Sequence, residues 1–161
     1  MHPSGAQVRK TLHVADQCAI YLLIAGSYTP FLIALFPTGG WSVWVLAYIW
    51  TLASVGSAME VKYHHARRDK RWLKIASLVL YVAMGWSAAW PPLLRDMRAA
   101  MDPDAFKLLL GGGLAYTLGV PVFVRNRGLD HALWHLFVLA GSGLHFAALW
   151  RTVEGALRGT L

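Results

Sequence analysis

Residues 131–153 read HALWHLFVLAGSGLHFAALWRTV, a run with no Asp, Glu, Lys or Arg before Arg151. Because a helix needs about 20 predominantly apolar residues to cross a bilayer, this run predicts a transmembrane helix. The whole chain has the same character: its 161 residues are 57% hydrophobic and 14% charged, and its mean hydropathy is +0.44. A soluble domain has about 25% charged residues, so the composition predicts a membrane protein.

Four further apolar runs are bounded by charged residues, glycine or proline. Together the five runs predict an all-α fold, a polytopic transmembrane helical bundle that forms a single domain over residues 1–161. The single cysteine, Cys18, excludes a disulfide framework and a metal cluster made of cysteines alone. The predicted spans lie at residues 14–36, 40–60, 73–93, 106–124 and 131–153.

The distribution of positive charge predicts how the chain is oriented. Five spans place the N-terminus, residues 61–72 and residues 125–130 on one side of the membrane, and ten of the fifteen Lys and Arg residues belong to that side. The positive-inside rule therefore predicts a cytoplasmic N-terminus and a C-terminus outside. Because the basic residues gather between spans, we expect no nucleic acid as a partner. Membrane lipids are the expected partners, and no soluble protein partner is predicted.

Three ionisable residues at the ends of predicted spans stand out as candidate site residues: Asp16, His131 and His135. His131 and His135 are four residues apart, so both imidazoles project from one helix face. This spacing suits two ligands of one zinc ion, although both histidines could equally be residues of the membrane interface. Asp16 could instead be a helix N-terminal carboxylate that the helix dipole favours.

Other histidines do not extend this pattern. His145 lies fourteen residues after His131, about 21 Å along a helix, and cannot bind the same ion. A pair of stacked haems would need matching histidines on a second span, and the predicted second to fourth spans contain none. A retinal pigment would need a lysine in mid-span, and none occurs there. His64 and His65 are expected in a solvated basic loop.

Several segments carry a resemblance to a known family. The chain resembles the hemolysin III family, the bacterial branch of the progestin and adipoQ receptor (PAQR) superfamily, over nearly its whole length. The segments are Asp16-Gln17 with residues 19–31 (AIYLLIAGSYTPF), Tyr81 with residues 84–86 (MGW), residues 112–113 (GG) with 116–119 (YTLG), and residues 131–146.

The resemblance implies a seven-helix fold with a zinc site on the cytoplasmic side, in the plasma membrane of a bacterium. His131 and His135 match the histidine pair of the last family helix, and Asp16 matches the aspartate that holds a zinc-bound water. The family's third histidine ligand lies upstream of that aspartate in a Ser-x-x-x-His motif. His2 and His13 match it imperfectly, so the chain is expected to be N-terminally short and to lack the first two family helices.

Two kinds of function follow from the resemblance. Related membrane enzymes cleave the amide of ceramides, so the first hypothesis is a zinc-dependent hydrolase of membrane lipid amides or esters in which Asp16 is catalytic. The alternative is a non-enzymatic protein, receptor-like or active in membrane homeostasis, whose zinc is structural. This second, non-enzymatic kind also includes a cytolytic protein, as the family name suggests.

Overall fold

The computed structural model describes residues 5–36, 40–67, 71–125 and 127–159. Over these residues the chain is built from helices joined by short turns, with no strand among them. The all-α fold class is therefore confirmed. The helices are α1 (Gly5–Leu35), α2 (Trp41–Arg67), α3 (Arg71–Gly85), α4 (Pro91–Ala100), α5 (Pro103–Arg125) and α6 (Asp130–Leu157).

Four of these helices are long and apolar enough to cross a membrane: α1, α2, α5 and α6. The helical segment Ile75–Ala89 and α4 satisfy the same criteria together, as a bent pair, and would make a fifth span. The chain is thus a polytopic helical membrane protein, as its composition predicts. Because of the bend, the pair differs from a single straight helix over residues 73–93.

The bend has a local cause in the sequence. Trp90 precedes Pro91-Pro92, and its backbone is extended, with φ −55° and ψ 123°. The ring of a proline disfavours the helical conformation in the preceding residue, whereas proline itself fits the first turn of a new helix. The chain therefore passes from α3 through a short 3₁₀ turn, Trp86–Ala89, into α4. As a result, α4 occupies much of the segment expected to connect two spans.

The helices also extend beyond the apolar runs. α1 begins at Gly5, well before residue 14, and α2 continues to Arg67, through residues expected in the basic loop. Lys and Arg are good helix formers, so a helix need not end where its apolar run ends. The side chains of His64 and His65, expected to be solvated, lie outside the described part of the structure.

Contacts divide the chain into two compact units, and the first contains most of α1 together with α2 and α3. Its core takes two residues from each helix, three or four positions apart, which is the spacing of one helix face. Gly56 of α2 also faces Tyr21, because a Cβ there would overlap the tyrosine ring. The core residues are Tyr21, Ala25, Ile49, Ala53, Tyr81 and Met84.

The second unit contains α4, α5 and α6. α5 and α6 are joined by a short connection and pack along faces with a seven-residue repeat: Ala105, Gly112 and Gly119 are buried on α5, and Trp134, Gly141 and Ala148 on α6. Aromatic rings lie against the glycines: Trp134 at Gly119, His145 at Gly112 and Tyr116 at Gly141. Small residues allow membrane helices to approach closely, so these glycines set the distance between α5 and α6.

Candidate metal centre

The connection between α5 and α6 fixes where the last helix begins. Asp130, its first residue, is only 4% exposed, and its carboxylate accepts hydrogen bonds from Nε and Nη2 of Arg125 at 2.9 and 2.6 Å. The backbone N–H of Arg127 donates a third at 2.7 Å. A bidentate arginine pair is directional, and a carboxylate at a helix N-terminus is favoured by the helix dipole. Asp130 therefore anchors the first turn of α6, which carries His131.

Trp134 fixes the rotation of α6 about its axis. Its ring packs against Gly119 and against Phe123, with ring centroids 5.1 Å apart. His131 and His135 lie three residues before and one residue after Trp134, which places both about 60–100° around the helix from that ring. Packing of Trp134 against α5 therefore places the two imidazoles on one side of α6, where His131 is exposed and His135 is half-buried.

The two imidazoles of this pair meet one turn apart. Nε2 of His131 lies 3.1 Å from Nε2 of His135, and the ring planes are perpendicular. Two nitrogens bound to one tetrahedral zinc ion at about 2.0–2.1 Å from the metal would be separated by about 3.3–3.4 Å. The observed distance is close to this value, so a small shift of either ring would let both nitrogens bind one ion.

Asp16 belongs to the first unit and lies on α1. Because α1 begins at Gly5 and has no acidic residue in its first turn, Asp16 is well inside the helix. The interpretation of Asp16 as a helix N-terminal carboxylate is therefore wrong, since the dipole effect is confined to the first turn. The side chain is half-buried, and Oδ2 accepts a long hydrogen bond of 3.5 Å from Nε2 of the neighbouring Gln17.

Of the two histidines that imperfectly match the family's upstream ligand, His13 is among the described residues. His2 lies outside the described residues. His13 is three residues before Asp16 on α1, and its side chain is exposed.

His145 is engaged elsewhere in the second unit. Its Nε2 lies 3.2 Å from the backbone carbonyl oxygen of Leu109, and its ring meets Tyr116 edge-on at 5.5 Å between centroids. The imidazole also fills the space that a side chain at Gly112 would need. His145 thus contributes to the packing of α5 against α6.

Glu60 is a buried acid that the sequence analysis did not single out. It lies on α2, the residue is 1% exposed, and its Oε1 accepts a hydrogen bond of 3.2 Å from the hydroxyl of Tyr81. The signal was present, because ionisable groups inside a span are costly and usually functional. Glu60 was overlooked because it coincides with the predicted end of the second span.

These features define a multi-pass helical membrane protein with a histidine pair at the start of its last helix. The family described as Haemolysin-III related matches residues 1–146, and the chain belongs to that family. The resemblance found in the sequence is thereby confirmed.

Two bacterial proteins and a human protein illustrate the similarity. The chain is 41% identical to Hemolysin-3 of Bacillus cereus over 90% of its own length and 61% of that protein. It is 33% identical to the Hemolysin-3 homolog of Bacillus subtilis, over 87% of this chain and 62% of the relative. Identity to the human Monocyte to macrophage differentiation factor is 34%, over 89% of this chain and 56% of the relative.

The chain therefore spans 56–62% of the length of these curated relatives. No solved structure gives a significant match.

Proposed function

We propose that this membrane protein binds a divalent cation, most simply zinc, through His131 and His135. We assign Asp16 to the same site because the resemblance to the hemolysin III family matches it to the aspartate that holds a zinc-bound water. The observation that carries the proposal is the separation of 3.1 Å between the two Nε2 atoms, which suits two ligands of one ion. Each of Asp16, His131 and His135 offers one atom of a kind that binds zinc. The location proposed for the site is the cytoplasmic side of the membrane, on the basis of the charge distribution. A bacterial plasma membrane is proposed from the resemblance to the hemolysin III family.

The reaction we propose is hydrolysis of an amide or ester bond in a membrane lipid. When bound, the cation would act as a Lewis acid toward an acyl oxygen and would acidify water at an open coordination position. The Asp16 carboxylate would take a proton from the attacking water as a C–O bond forms at the acyl carbon. It would return this proton to the nitrogen or oxygen of the leaving group as the acyl bond breaks. The products would be a free fatty acid and an amine or alcohol.

A test of this reaction uses the full chain in proteoliposomes with zinc and a fluorescent short-chain ceramide or acyl ester, with products separated by chromatography. Asp16→Asn should lower the rate by about 100- to 10,000-fold, the usual contribution of a general base. The matched control is Asp104→Asn, because Asp104 is an exposed aspartate that pairs with Lys107. Asp104→Asn should leave the rate unchanged.

The assay also separates catalysis from the alternative roles. A protein whose cation only ties helices together would hold the metal and form no product. Leakage of a trapped dye without lipid cleavage would favour a cytolytic role. The hydrolase proposal fails if product formation is equal in the wild type and in Asp16→Asn.

A further inference from the structure

The first unit contains a buried polar cluster to which each of its three helices contributes one residue: Gln17 from α1, Glu60 from α2 and Tyr81 from α3. The three residues are 5%, 1% and 8% exposed, respectively. Burying polar groups is costly unless they are hydrogen-bonded, and a carboxyl group inside a membrane protein is more costly still. These groups lie beside an apolar core that includes Tyr21 and Met84.

The hydroxyl of Tyr81 is the centre of the cluster. It lies 3.2 Å from Oε1 of Glu60, 3.4 Å from Oε1 of Gln17 and 3.4 Å from the backbone carbonyl oxygen of Gln17. All three neighbours are acceptor atoms, so the single proton of the hydroxyl is shared among them, and each distance is longer than a full O–H···O bond. The ring of Tyr81 is itself held by Tyr21, with centroids 4.4 Å apart.

The orientation of the Gln17 amide connects this cluster to Asp16. A glutamine side chain has one accepting end and one donating end. With its oxygen facing the Tyr81 hydroxyl, its nitrogen faces Oδ2 of Asp16, 3.5 Å away. A carboxylate only accepts hydrogen bonds, so the opposite orientation of the amide would set an oxygen against an oxygen. With Oε1 toward the Tyr81 hydroxyl and Nε2 toward Asp16, this one orientation of the Gln17 amide satisfies both neighbours.

We propose that Tyr81 and Glu60 are positioning residues that hold the Asp16 carboxylate in place through Gln17. This inference rests on the proposed function, in which Asp16 belongs to the metal site. Glu60 fixes the Tyr81 hydroxyl from one side, and Gln17 transmits its position to Asp16 on the other. A cluster that only joined helices would be replaceable, because apolar residues of similar volume are often as stabilising as a buried polar group.

Tyr81→Phe tests the inference because it removes only the hydroxyl. Tyr28→Phe is a matched control: Tyr28 also joins α1 to α3, donating to the carbonyl oxygens of Met84 and Gly85 at 3.1 and 2.9 Å. The first readout is the infrared carboxylate band of Asp16, isolated in metal-free protein by subtracting the spectrum of an Asp16→Asn version of each variant. The second is zinc affinity of the full chain in detergent.

Tyr81→Phe should shift the Asp16 band and weaken zinc binding by about 10-fold, the lower range for groups that orient a site. Tyr28→Phe should do neither. Glu60→Leu should resemble Tyr81→Phe, whereas Glu60→Gln keeps an acceptor oxygen and should restore most of the affinity.

The proposal is overturned if Tyr81→Phe leaves the Asp16 band unchanged, or if Tyr28→Phe shifts it equally. Because the infrared comparison needs no metal, it decides the positioning role even if the wild type binds no zinc. A wild type that binds no zinc would refute the proposed metal site but not the positioning role.

Discussion

Replacing Gly119 by alanine should disturb the packing of α5 against α6 and, through it, the histidine pair. A Cβ at Gly119 would lie 2.8 Å from Cβ of Phe137 and 2.9 Å from two ring atoms of Trp134. Contacts this short require the tryptophan ring or the helix to move, and Trp134 is the residue that orients His131 and His135. Overpacking of this kind costs about 1–3 kcal/mol.

Gly113→Ala is the matched control, because a Cβ at Gly113 meets nothing within 4 Å and the position lies on the same helix. Both variants gain the same helix propensity, about 0.5–1 kcal/mol relative to glycine. The difference between their stabilities therefore isolates the overpacking cost of about 1–3 kcal/mol.

The assay is thermal denaturation of the purified chain in detergent, with zinc affinity measured alongside. Gly119→Ala should melt below Gly113→Ala and bind zinc more weakly. If the two variants have equal stability and affinity, the close approach of Trp134 to Gly119 does not orient the histidine pair and the reasoning is refuted.

Two further predictions concern the ends of α5. Arg125→Gln should destabilise the chain by about 1–3 kcal/mol in the same denaturation assay, because it leaves the buried Asp130 without its charged donor. The control is Arg158→Gln, which breaks an exposed ion pair and should cost less than about 1 kcal/mol. Equal losses of stability in the two variants would argue against an anchoring role for Asp130. Topology reporters inserted at Gly128 and at Asp102 should report opposite sides of the membrane, with Gly128 cytoplasmic; reversed reporters would show that the basic segments do not orient the chain.

The transmembrane helices could be predicted from the sequence, because a run of about 20 apolar residues forms few structures other than a transmembrane helix. Their ends were harder to predict. The apolar run of α2 stops before Lys62, but the helix continues to Arg67. Polar residues such as Lys and Arg are good helix formers, so the end of an apolar run does not mark the end of a helix. The break at Trp90 is explained by Pro91-Pro92, although residues 73–93 were predicted as one span.

The candidate site likewise has a part that could be predicted from the sequence and a part that could not. The i, i+4 spacing of His131 and His135 was sufficient to place both rings on one helix face, because that relation is local. The cluster around Glu60 could not be predicted, since it depends on which faces of α1, α2 and α3 pack together. Only the alternative reading of Asp16, a helix N-terminal carboxylate, is wrong. It depended on where α1 begins, and α1 begins ahead of the apolar run, at Gly5.

The central claim, that the histidine pair binds a metal ion, is tested most directly by the zinc content of the purified 161-residue chain in detergent, measured by mass spectrometry after equilibration with zinc and removal of excess. The wild type should hold about one zinc ion per chain, and His131→Ala or His135→Ala should lose most of it, because each change removes one nitrogen ligand. His145→Ala should retain the ion, since its imidazole faces Leu109 and Gly112. A chain that loses zinc in His145→Ala but keeps it in His131→Ala would contradict this assignment.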